Sequence, residues 1–195
     1  MSETQEATPQ FLSGSAAATG RTEIVWVSGS DSVSFLDGLL SQNIAAIEVG
    51  GTAPSLLLAP NGKLRATLLV LRGQSRIGLA CDAGRGEIVV SDLLRFKIRV
   101  DVSIGVETDD VWDVWGTDAA AAVGRVPQAG RWDETNGSVR FRMPFRHPIL
   151  ERVIVVGMQP PVPLVTPVAL EPIRIEVGEP VMGLDLTDKT IPQEG

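Results

Sequence analysis

The chain has 195 residues, enough for one large domain or a domain and a half with a real core. Its 24 acidic against 17 basic residues give a net charge of −7, which argues against nucleic acid or an anionic membrane as the main partner. A single cysteine, Cys81, rules out a disulfide framework and fits a reducing cytoplasm, and one cysteine plus one histidine, His147, are too few ligands for a zinc or iron cage, so no bound metal is expected.

In chain order, residues 1–21 lack the basic start and apolar centre of a secretory signal and read as a mobile lead-in. Glu23 to Val27 is a short strand, and Ser28-Gly29-Ser30-Asp31 is a turn whose Ser or Asp oxygen can cap a following helix. Val33, Leu36, Leu39 and Leu40 recur at helical spacing, with the stripe ending near Ile44 and Ile47. Ser55 to Arg72 holds two apolar runs around Asn61-Gly62, the signature of a hairpin with a type I′ turn. Strands this apolar are expected inside a sheet rather than at its edge.

Arg76 to Cys81 is a further strand, and Glu87 to Ile98 reads as a second helix on Ile88, Val89, Leu93, Leu94 and Phe96. Val100–Val106 and Asp113–Trp115 read as strands, and an Ala-rich helix opens at Thr117-Asp118 and stops at Gly124. Asn136-Gly137 marks a second hairpin, and Arg152 to Val156 a last strand before a Pro-rich stretch. This order predicts an α+β fold of mostly antiparallel sheets with flanking helices. No apolar run approaches the ~20 residues of a spanning helix, so no membrane segment is expected.

Phosphate-binding and nucleophile-elbow motifs are absent from the sequence. His147, before Pro148, reads as a turn residue, and Cys81, closing an apolar strand, as a small buried hydrophobe. Composition and spacing stop there.

Four blocks in order carry the reading further: IVWVSGSDSVSFLDGLLSQNI, APNGKLRATLLVLR, LACDAGRGEIVVSDLLRFKIRVDVSI and IRIEVGEPVMGLDLTDKTIPQEG. Together they resemble the folate-binding domain of the glycine-cleavage T-protein (aminomethyltransferase) superfamily. The G-K at the hairpin, L-R-F-K-I-R and T-I-P-Q-E are similar to its YgfZ-type branch. The resemblance implies one folate-binding domain over residues 22–195 and a tetrahydrofolate-type ligand. It also implies a cytoplasmic role in assembly or repair of iron–sulfur clusters, with assembly proteins or client enzymes as partners. Relatives of that branch continue into a K-G-C-Y-x-G-Q-E segment and a barrel domain. The sequence ends at Gly195, so the resemblance implies a C-terminally truncated domain with apolar surface to be covered by a partner.

The transferases of this superfamily keep a catalytic Asp five residues after the hairpin glycine, where a carboxylate can polarise the folate nitrogens. That position here is Thr67, which can hydrogen-bond but holds no charge near neutral pH. Pro54 and Leu71 stand where aromatic neighbours of the pterin are expected. By the same resemblance Cys81 and Asp82 occupy a ligand-facing position, and Arg174 is the residue to pair with a folate carboxylate. Glu176 shares the face of Arg174 if the block is a strand and lies about 200° away if it is a helix. Pro172 would break a helix interior there. The expectation is a folate-binding assembly factor without catalytic residues. The alternatives are a folate-dependent aminomethyl transferase, with Asp82 as its replacement acid, or a non-functional fragment of either.

Overall fold

The structure is a computed structural model and describes residues 14–192. Its strands are β1 (Ser15–Thr19), β2 (Thr22–Ser28), β3 (Thr52–Leu58), β4 (Leu64–Arg72), β5 (Arg76–Asp82), β6 (Ser103–Val106), β7 (Val111–Gly116), β8 (Trp132–Thr135), β9 (Ser138–Arg142) and β10 (Glu151–Val156). The helices are α1 (Ser32–Asp37), α2 (Gly86–Leu94), α3 (Ala119–Ala122) and α4 (Glu171–Glu176), the last preceded by a 3-10 turn at Pro167–Leu170. The fold is α+β, with two five-stranded sheets in two compact units. Among the described residues, one unit is residues 14–22 together with Asp109–Glu179; the other is Glu23–Thr108 together with residues 180–192. No helix among the described residues is long and apolar enough to cross a membrane.

The unit containing Glu23–Thr108 has strand order β3-β4-β5-β2-β6, with β3–β4, β4–β5 and β2–β6 antiparallel. Alternation in the strands sends Val25, Val27, Ala66, Leu68, Val70, Ile77, Leu79 and Cys81 to one face. There they pack with Phe35 and Leu36 of α1 and Val89 and Leu93 of α2. A bulge between Leu57 and Leu58, with Leu58 opposite Leu64, turns Leu64 onto the other face beside Leu56 and Leu58. Met182 and Leu186, from the segment after Pro180, pack there. The Leu64 N–H donates to the Thr190 carbonyl at 2.9 Å, and Lys63 Nζ donates to the Lys189 carbonyl at 2.6 Å. Residues 180–192 thus lie as a strap over the face opposite the helices.

Several expectations for this unit are corrected. The Asn61-Gly62 turn is not type I′: Gly62 has φ of +78°, but Asn61 is not among the residues with positive φ. Pro60, whose ring fixes φ near −65°, starts the turn one residue earlier, and Gly62 N–H closes on the Ala59 carbonyl at 2.8 Å. β3 is the edge strand, not an inner one, which also suits Pro54. Its outer side is covered by a Leu40–Leu57 bridge and by Ser41 N–H donating to the Leu56 carbonyl. That pairing takes the chain out of helical geometry, so α1 ends at Asp37 although the apolar spacing runs on. Asp31 is at the N-cap position but does not cap; its carboxylate accepts the Asp101 N–H at 2.8 Å instead. α2 stops at Leu94, and Phe96 and Ile98 are exposed rather than part of its buried stripe.

The other unit has strand order β1-β7-β10-β9-β8, every pairing antiparallel. β1 corrects the mobile lead-in: Ala16, Ala17 and Ala18 are fully buried, and Ala17 also bonds to the backbone of Pro163 and Val165. Residues 1–13 of that lead-in lie outside the described residues. On one sheet face Ala16, Ala18 and Trp115 pack with Leu150, Leu170 and Ile173. On the other, Ala17, Val114, Val153 and Val155 pack with Ala119 and Val123. The second hairpin follows expectation: Asn136 and Gly137 both have positive φ, 53° and 78°, the type I′ pattern. His147 is a turn residue, its Nδ1 accepting the Leu150 N–H at 2.9 Å.

Candidate functional site

Thr67 and Asp82 come together in the unit containing the first hairpin. The β4–β5 register pairs Leu69 with Ala80, so two residues further along Thr67 stands across from Asp82 on the same face. Thr67 Oγ1 lies 3.5 Å from Asp82 Oδ2, the far limit of a hydrogen bond, and both residues are half-buried. Asp82 Oδ2 also accepts the Met182 N–H at 2.8 Å, so the strap meets the pair at its backbone. A hydroxyl beside a carboxylate offers acceptors and one donor to a ligand edge rich in N–H groups.

Cys81 does not join them. One residue along a strand reverses the face, and Cys81 packs with Leu79 and Ile77 against α1 and α2, 5% exposed. Burial, aided by the nearby charges of Glu23 and Asp82, pushes its thiol well above the ordinary range, so it is an inert core residue. The neighbouring loop is tightly held. Glu23 accepts the Gly84 and Gly86 N–H groups at 3.0 and 2.6 Å, and a Cβ on Gly86 would lie 2.7 Å from that carboxylate.

Arg174 and Glu176 lie in the other unit, on α4. Pro172 is accommodated in the first turn of that helix, where its missing N–H is not needed. Because the block is helical, Glu176 points away from Arg174 and is exposed. Arg174 is 5% exposed, and its partners are Glu171, Nε to Oε2 at 2.9 Å, and the Glu179 carbonyl, from Nη1 at 2.7 Å. These bonds tie the turn after α4 back onto the helix. Glu171 also takes Arg21 Nη1 at 2.6 Å. Burial alone would raise the pKa of Glu171, but the hydrogen bonds and charges of Arg21 and Arg174 hold it below the usual carboxylate value.

Sequence reasoning missed the charged centre of this unit. Asp113, 1% exposed in the strand VWDVWG, accepts from Arg152 Nε at 2.6 Å, Thr22 Oγ1 at 2.6 Å and Trp115 Nε1 at 3.0 Å. Arg152 also pairs with Glu179, and its guanidinium carbon stands 5.1 Å from the Trp115 ring centre. Burial opposes the ionised form of Asp113. The charge of Arg152 and the three hydrogen-bonding partners outweigh it and keep the carboxyl below its ordinary pKa. The one available signal was a lone Asp between tryptophans on an apolar strand, which must find a buried partner.

One concavity, of about 350 Å³, is bordered by Trp26, Arg76 and Glu107; another, of about 380 Å³, by Asp109, Ser138 and Arg140. None of the expected site residues borders either.

No family model matches the chain, and no curated protein matches it by sequence. The crystal structure of glycine cleavage system aminomethyltransferase T from Bartonella henselae is similar to it with a TM-score of 0.83 at 16% sequence identity. The match covers 97% of this chain and 58% of that one, so the chain spans little more than half the length of its structural neighbour. The chain therefore has the fold of that part of aminomethyltransferase T.

Proposed function

We propose that the protein binds a tetrahydrofolate-type ligand and serves iron–sulfur cluster assembly or repair in the manner of the YgfZ-type branch, rather than transferring an aminomethyl group. The observation that carries this reading is Thr67 at the strand position where the resemblance places a catalytic acid, with Asp82 across from it at 3.5 Å. The aminomethyltransferase fold makes a folate the first ligand to consider. A pterin presents a row of ring N–H and amino groups, and the carboxylate of Asp82 with the hydroxyl of Thr67 offers the hydrogen-bond acceptors that suit it. Such a ligand would supply N5 and N10 as the atoms that carry a one-carbon unit. In this reading Thr67 and Asp82 orient the pterin, and Met182, whose N–H holds Asp82 Oδ2, fixes the carboxylate. Arg174 maintains the turn after α4 through Glu171 and the Glu179 carbonyl instead of pairing with a ligand carboxylate.

A second reading, the aminomethyl transferase, is favoured by one observation. Asp82 is itself a carboxylate, one strand over from the expected position and on the same sheet face. An aminomethyl-transfer assay with tetrahydrofolate separates the two. The binding reading expects background turnover from wild type and from Asp82→Asn alike. Turnover that Asp82→Asn abolishes would establish the transferase instead. In a tryptophan-fluorescence titration with 5-formyltetrahydrofolate, Thr67→Val should weaken binding about tenfold, the loss of one hydrogen bond to a polar ligand edge.

A further inference from the structure

The last residue of α2 and the five that follow it, LRFKIR at positions 94–99, are all exposed. Three are large apolar residues, Leu94, Phe96 and Ile98, at 47%, 49% and 73% exposure. The alternate three are Arg95, Lys97 and Arg99, a run of three cations in a chain whose net charge is −7.

The segment is built, not frayed. Phe96 N–H donates to the Leu93 carbonyl at 3.0 Å, Lys97 N–H to Leu94 at 3.2 Å and Ile98 N–H to Phe96 at 2.9 Å. Arg99 then takes a left-handed conformation, φ of 57°, which a long side chain rarely adopts. Left-handed non-glycine residues recur at ligand clamps and switch regions, and contiguous exposed apolar side chains mark interaction sites. Asp92 holds Arg65 Nε at 2.6 Å and also pairs with Arg95 at 3.9 Å, and Asp101 accepts Ser30 Oγ at 2.9 Å, which leaves Lys97 and Arg99 as the outward cations beside a partly matched Arg95.

We propose that residues 94–99 are a docking surface for an acidic peptide segment of another protein that carries large apolar side chains. The apolar residues supply desolvation and the cations select the sign of charge. An anionic bilayer is the weaker match. An extended charged surface meets the whole molecule with its charge of −7, whereas a short segment within a Debye length of about 8 Å meets the three local cations. This surface does not depend on the folate reading.

The test is fluorescence anisotropy of the full chain with a labelled peptide of alternating Glu and Leu. Controls are the same peptide with Lys for Glu, the same with Ser for Leu, and phosphatidylserine vesicles. Saturable binding of the Glu/Leu peptide is expected, weakening as salt rises. Both control peptides should bind wild type about tenfold less tightly, and so should the Glu/Leu peptide to either paired variant, Phe96→Ser with Ile98→Ser or Arg95→Glu with Lys97→Glu. All four side chains are exposed, so the variants should melt at the wild-type temperature, and the charge-reversed pair keeps the apolar residues intact as a second probe. Absence of saturable binding would overturn the proposal. So would equal binding by the variants, equal binding of the serine peptide, or capture by vesicles without peptide binding.

Discussion

At the residue scale, the two units use carboxylates differently. Asp82 is half-buried on a sheet face, hydrogen-bonded to a backbone N–H and near a hydroxyl, an arrangement suited to meeting a ligand. Asp113 is buried with its charge matched by Arg152, and its role is to hold β7, β10 and Thr22 in one arrangement. Removing one member of such a pair leaves an uncompensated buried charge, so Asp113→Ala should lower the unfolding free energy by about 3–5 kcal/mol in urea denaturation. The folded-state pKa values of Asp113 and Glu171 are both depressed. Their contribution is therefore present above the ordinary carboxylate value of about 4 and is lost as pH falls through the lowered folded values. Urea midpoints measured from neutral pH down into that acid range should fall more steeply for wild type than for Asp113→Asn. Cys81, buried and with its thiol pushed up, should react with thiol reagents only as fast as the protein opens, and Cys81→Ser should leave folate binding unchanged. The pairing of Thr67 with residue 81 or 82 was half legible. The resemblance leaves residues 81 and 82 both facing a ligand; alternation allows only one of them on the face of Thr67, and the β4–β5 register shows that it is Asp82. The Arg152 network was not legible, because its bonds join residues 39 and 130 positions apart, and no local pattern encodes such pairings.

At the element scale, strands were easier to read than helix ends. Period-2 alternation marks β4 and β5 directly, whereas the apolar stripe past Asp37 continues because Leu40 is buried by bridging the edge of β3. The same Asn-Gly pair also forms two different turns. Pro60 sets the first, and Asn61 uses its side chain to accept the Lys63 N–H at 3.2 Å. Asn136 has no preceding proline and takes the left-handed conformation itself. Asn61→Gly should therefore cost about 1–2 kcal/mol, a lost hydrogen bond plus backbone entropy. Asn136→Gly should change stability by less than about 0.5 kcal/mol, since relief of φ offsets the entropy. Thermal or urea melts of the two variants measure the contrast directly.

At the scale of the whole molecule, neither unit is a continuous stretch of chain, which no reading of local pattern anticipates. Residues 23–108 lack the strap at 180–192, whose Met182 and Leu186 cover Leu56, Leu58 and Leu64. A fragment of residues 23–108 should therefore bind the dye ANS more strongly than the full chain does. Met182→Ala in the full chain should cost about 2–5 kcal/mol. It should also loosen folate, because Met182 N–H holds the Asp82 carboxylate from that strap. The proposed ligand contact of that carboxylate is with a folate. Calorimetric titration of 5-formyltetrahydrofolate into the wild-type chain and into Asp82→Asn tests it. Wild type should bind saturably and the variant at least about tenfold more weakly. No heat from wild type, or equal affinity in both proteins, would contradict it.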